Sequence, residues 1–131
     1  MSRLKHILPA VAVGGLLTLT ATTPASADGG WWYSRDNPTG AKAYFKEHGD
    51  KVTVCDIDKD GYKALVQVMT GNGDLAYQFH DNYDDGKCTS ESARSGYDLF
   101  EDRTYKFRVC IVKIGTRPMD CSSIKSVLND R

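Results

Sequence analysis

The chain has no surplus of either charge: 17 basic residues stand against 17 acidic ones in 131. A nucleic-acid binder needs a basic excess, and so does a polybasic membrane binder, so neither class is expected. The apolar run from Ile7 to Ala21 is 15 residues long, short of the roughly 20 that cross a bilayer as a helix. The four cysteines form no close pair, because 32, 21 and 10 residues separate them. A zinc site would normally show a C-x-x-C spacing. There is no G-x-S-x-G elbow and no H-E-x-x-H helix, the motifs that would announce a serine hydrolase or a zinc protease. There is also no long helical period and no internal repeat.

What is there begins with an export signal. Arg3 and Lys5 give a positive start, Ile7 to Ala21 an uncharged apolar stretch, and Ala25-Ser26-Ala27 the small-x-small pattern that signal peptidase reads, with Pro24 just before it. Cleavage after Ala27 is expected. It leaves 104 residues with 15 bases and 17 acids, net −2, enough for one domain with a modest core. No cysteine precedes Cys55, and Val127 to Arg131 carries neither an apolar tail nor a wall-sorting motif. A freely secreted, extracellular product with no further membrane attachment follows. All 13 aromatic residues lie after the signal, too many for a disordered polar tail.

An even number of cysteines in a small exported chain reads as disulfides. Four cysteines allow three connectivities. The favoured one is Cys55–Cys88 with Cys110–Cys121, because a turn around Pro118 brings the last two together as a hairpin.

The organisation expected is a signal peptide over 1–27, a flexible lead-in over 28–40 and a single domain over 41–131. Within it, Ala41 to Glu47 leans towards a strand and His48-Gly49-Asp50 makes a tight turn. Lys51 to Ile57 is a β-branched strand and Asp58 to Gly61 a turn. Tyr62 to Thr70 puts Tyr62, Ala64, Val66 and Val68 on one face. Asn72-Gly73 is a strong hairpin signal, and Leu75, Tyr77 and Phe79 then alternate with polar residues. Residues 81–96 read as one long polar loop, Tyr97 to Phe100 as a short edge strand, and Arg103 to Ile114 as the clearest strand. Cys121 to Leu128 is a strand or a short helix. About seven short strands separated by turns predict an all-β, antiparallel β-sandwich stapled by two disulfides. It is not an immunoglobulin domain, since both tryptophans precede every cysteine.

The run Ala43-Tyr44-Phe45, Gly49-Asp50, Val54-Cys55-Asp56, Asp60-Gly61-Tyr62-Lys63-Ala64 and Val66, followed by Gly86-Lys87-Cys88, Phe107-Arg108-Val109-Cys110 and Cys121-Ser122, resembles a group of uncharacterised small secreted proteins of high-GC Gram-positive bacteria. The similarity spans about 85 residues and rests on turn glycines, core positions and cysteines. It implies a disulfide-bonded, mainly β secreted domain and carries no catalytic residue across.

Four constellations carry chemistry. Trp31-Trp32-Tyr33 is an aromatic cluster of the kind that stacks on sugars or fills a partner's pocket; the alternative is that it folds back as an edge strand and buries its rings. Asp56, Asp58, Asp60 and Gly61 match the start of a calcium loop, D-x-D-x-D-G, but Gln67 stands where a bidentate Glu is needed. A turn with solvated carboxylates is therefore favoured over a weak calcium site, to which Asp81, Asp84 and Asp85 would add ligands, and no other cofactor is implied. His48 and His80 fall at strand ends. His80 with Glu91 or Glu101 would make a general acid–base pair, and two surface histidines are the blander reading. Finally, residues 74–102 are net −6 and residues 103–131 net +5, charges that adjacent strands would pair across a sheet.

The function expected is a non-enzymatic extracellular binding module for a protein partner or an envelope glycan. The alternatives are a small secreted hydrolase using His80, or a structural envelope protein.

Overall fold

The computed structural model describes residues 30–83 and 85–130. The expected signal peptide and its cleavage site, and Asp84, lie outside the described residues. Eight strands form: β1 (Trp32–Tyr33), β2 (Ala41–Lys46), β3 (Lys51–Asp56), β4 (Lys63–Thr70), β5 (Leu75–Asp81), β6 (Thr89–Glu91), β7 (Arg103–Val112) and β8 (Lys125–Asn129). They make two antiparallel four-stranded sheets, ordered β1-β2-β3-β6 and β5-β4-β7-β8. The protein is an all-β antiparallel sandwich with both expected disulfides, Cys55–Cys88 and Cys110–Cys121. No helix among the described residues is long and apolar enough to cross a membrane.

The core follows from period-two alternation. Ala41, Ala43 and Phe45 of β2 and Val52 and Val54 of β3 face inward from the first sheet. Ala64, Val66 and Val68 of β4 and Tyr105, Phe107, Val109 and Ile111 of β7 face them from the second. Phe45 and Phe107 stack across the two sheets with ring centroids 4.7 Å apart.

Three segments depart from the sequence reading, each for a local reason. Tyr97 to Phe100 is not a strand. Its backbone donors do not form a ladder: Tyr97 N–H bonds the Ser92 carbonyl at 3.1 Å, Leu99 N–H bonds Asp50 Oδ2 at 2.9 Å and Phe100 N–H bonds the Tyr105 hydroxyl at 2.9 Å. The long polar loop is interrupted by β6, which pairs with β3 at Val52–Glu91, Thr53–Ser90 and Val54–Thr89, next to the Cys55–Cys88 link, and by a 3-10 turn at Ala93–Ser95. Leu75 does not share a face with Tyr77. Val68 opposes Tyr77 and Met69 opposes Leu75, so Ala76 is an extra residue. A bulge of one residue reverses facing in a strand, and Leu75 is exposed while Tyr77 packs on the core.

The expected pairing of acidic and basic strands is also absent. β7 lies between β4 and β8, so neither β5 nor β6 borders it. Arg108 instead donates from Nε to Gln67 Oε1, which sits beside Gln78 across β4 and β5.

Candidate functional site

Alternation divides the aromatic triplet. Trp32 lies opposite the inward Ala43, and its ring reaches Phe107 at 5.9 Å. Tyr33 lies opposite Lys42, on the outward face. Trp31 is 41% exposed and Tyr33 50%. Trp31 is held in place, with the Tyr44 ring 5.5 Å away at a 43° tilt and the Lys42 ammonium 4.4 Å above its own ring. The outer side of the first sheet therefore carries Trp31, Tyr33 and Tyr44 with a cation among them. The segment does fold back as an edge strand, but only its middle ring packs against the core, and that ring is half-buried.

A second feature lies at the end of the sandwich where β4 turns into β5 and β7 begins. It is a cleft of about 710 Å³ between that turn and the Gly96–Phe100 segment. The turn is tight: Thr70 N–H bonds Asp74 O, Gly73 N–H bonds Thr70 O, and Gly73 takes φ 91°. A Cβ on Gly71 would lie 3.1 Å from the Thr104 carbonyl oxygen, so glycine lets the turn approach β7. Thr70 continues the inward row of Ala64, Val66 and Val68, and Tyr77 stands opposite inward Val68. The apolar rows of β4 and β5 thus end in hydroxyls at the cleft. Both, Thr70 Oγ1 and Tyr77 Oη, are buried without a hydrogen-bond partner. Burial pushes the Tyr77 phenol well above its ordinary pKa, with Asp50 and then Glu91 adding to the rise. Tyr97 packs on Tyr77 at 4.6 Å. At the mouth, Arg103 lies over the Phe100 ring at 5.0 Å.

The wall of this cleft is tied down by a buried polar cluster. Asn129, fully buried, donates from Nδ2 to Asp50 Oδ1 and to the carbonyls of Leu99 and Phe100 at 3.0, 3.2 and 3.3 Å. Asp130 N–H bonds Glu47 Oε1 at 2.8 Å. Asp50 sits at φ 53°, a left-handed conformation that Asp tolerates better than most residues. Burial raises its pKa, against the lowering effect of the Leu99 N–H, and the neighbouring Asp98 carboxyl raises it further.

Two of the three calcium-like aspartates, Asp56 and Asp60, accept hydrogen bonds from the backbone. Asp56 ends β3 with Oδ1 accepting from Asp58 N–H at 3.3 Å and Oδ2 from Tyr83 N–H at 3.0 Å. Asp60 Oδ1 caps Tyr62 N–H at 2.9 Å. Asp81, buried, accepts from Asp56 N–H at 2.8 Å and from the Thr89 hydroxyl at 2.6 Å. Burial lifts the Asp56 pKa despite those two donors. Asp58 and Asp60 line a shallow cleft together with Lys59 and Lys63. Among the described residues, no three His, Cys, Asp or Glu side chains gather as a metal site.

His48 is exposed in the β2–β3 turn, and His80 is exposed on edge strand β5. His80 is level with Leu65, whereas Glu101 precedes the start of β7, beside Thr70. The rise along β4 from residue 65 to residue 70 is about 16 Å, so these two stand near opposite ends of the sheet. Glu91 belongs to the other sheet.

Of the cleft residues, Thr70, Tyr77, Tyr97, Phe100 and Arg103 were not singled out from sequence. The legible signal was the inward row Ala64-Val66-Val68 ending in Thr70. Where a consistent pattern is broken at one position, function or strain is the usual reason.

No family model, no curated protein and no solved structure matches the chain.

Proposed function

We propose that the protein is a secreted, non-enzymatic binding module that holds an extracellular partner protein on the outer face of its first sheet. The observation that carries this reading is the exposed Trp31 ring, fixed between Tyr44 and the Lys42 ammonium with Tyr33 alongside. Tryptophan and tyrosine are among the residues that dominate binding energy at protein interfaces. Lys42 already occupies one face of the Trp31 ring, which favours a protein surface with an acidic rim over an envelope glycan stacking flat on that ring.

The two disulfides suit an oxidising, extracellular setting. The test is affinity capture from the producing organism's own culture, with wild type compared against a Trp31→Ala, Tyr33→Ala double variant. Loss of one captured protein in the variant, at unchanged melting temperature, supports the reading. Capture of a polysaccharide would transfer it to the glycan alternative. A hydrolase activity abolished by His80→Ala would overturn it.

A further inference from the structure

From the cleft at the β4–β5 end we infer a second binding site, distinct from the aromatic face, that takes a neutral, hydroxyl-rich ring of monosaccharide or disaccharide size. Three observations carry it. First, the interior rows of β4 and β5 end there in two buried hydroxyls, Thr70 Oγ1 and Tyr77 Oη, that no group among the described residues satisfies. An unpaired buried hydroxyl is costly, and both can donate to and accept from a sugar hydroxyl. Second, the walls include Tyr77, Tyr97 and Phe100, rings that suit the apolar C–H face of a sugar. Third, the charges in the lining balance. Among the described lining residues Asp98 is the one acid and Arg103 the one base, and the Arg103 guanidinium lies over Phe100. The lining therefore carries no net charge for an ionic ligand to pair with.

The cleft volume of about 710 Å³ lies within the usual range for small-molecule sites. Tyr97, on the segment between the 3-10 turn and β7, covers Tyr77, so ligand entry turns this ring aside and exposes the phenol beneath.

The test is a titration of the folded, disulfide-bonded protein, followed by amide chemical shifts. The probes are maltose, cellobiose and N,N′-diacetylchitobiose, set against digalacturonic acid and free tyrosine. A neutral disaccharide should shift the amides of Thr70, Tyr77 and Tyr97. Tyr77→Phe should weaken that binding about fivefold, the worth of one hydrogen bond, without lowering the melting temperature. Thr70→Val serves as a second probe of the same kind, and Trp31→Ala should leave sugar binding unchanged. The inference is overturned if the neutral sugars shift none of these amides at millimolar concentration. It is overturned equally if digalacturonic acid or tyrosine binds more tightly, or if both hydroxyl-deleting variants bind like wild type. None of these results bears on protein capture by the aromatic face, which is read separately.

Discussion

The side-chain amide of Asn129 donates a 3.0 Å hydrogen bond to the carboxylate of Asp50, joining two residues 79 apart in the chain. The last strand is thereby fastened to the β2–β3 turn. The same amide holds the carbonyls of Leu99 and Phe100, so one buried side chain sets the position of the segment that walls the cleft.

Asn129→Ala is expected to cost about 2–3 kcal/mol, because it leaves the Asp50 carboxylate and two carbonyls short of a donor in a buried place. Urea unfolding of the variant checks this. Hydrogen exchange should show its loss of protection concentrated at Leu99 and Phe100.

Stability should fall as pH rises from about 4. Burial raises the folded-state pKa values of Asp50 and Asp56 above the ordinary carboxylate value. Each group then binds its proton more tightly when folded. Its contribution is fully present below the unfolded pKa and is lost as pH climbs through the raised folded value. Melting temperatures measured from pH 3 upward should show a smaller decline in Asp50→Asn than in wild type. An identical slope in the two would refute the assignment.

The two disulfides should differ in worth. The Cys55–Cys88 link spans 33 residues and the Cys110–Cys121 link 11. Loop-closure entropy assigns about 4 and about 3 kcal/mol to them. Paired Cys→Ala variants of each link, compared by denaturant midpoint, should show the longer loop costing more.

Thr70→Val should stabilise the protein by about 1 kcal/mol. It keeps the β-branched shape and removes a hydroxyl that is buried without a partner. Thermal unfolding measures the gain, and a loss would mean the hydroxyl is satisfied in solution.

The neighbouring tryptophans should behave as opposites. Trp32→Ala removes a ring packed on Phe107 and should cost about 2–3 kcal/mol, while Trp31→Ala should cost less than about 1 kcal/mol and act on partner capture. Denaturant unfolding and capture assays on the two single variants separate these effects.

Much of the sandwich could be read from the chain alone. Val52 and Val54, Ala64, Val66 and Val68, and Phe107, Val109 and Ile111 recur at every second position, and that period is enough to name strands and their inward faces. Asn72-Gly73 marked the β4–β5 turn because the backbone there needs a left-handed glycine. Tyr97 to Phe100 misled because its composition suits a strand, while the Leu99 donor is claimed by Asp50, 49 residues away, and the Phe100 donor by the side chain of Tyr105 in the following strand. Leu75 misled because a bulge depends on the partner strand, which local alternation does not encode.

The sequence by itself determined the layered β architecture and favoured, among three connectivities, the cysteine pairing the structure shows, since period-two hydrophobicity and turn residues act over a few neighbours and one hairpin joins Cys110 to Cys121. Only the tertiary structure decided which of Trp31 and Trp32 faces water and that Thr70 and Tyr77 line one cleft. It also decided that Asn129 reaches Asp50. The Asn129–Asp50 bond joins residues 79 apart, and the Trp32–Phe107 contact exists only once the two sheets are packed face to face.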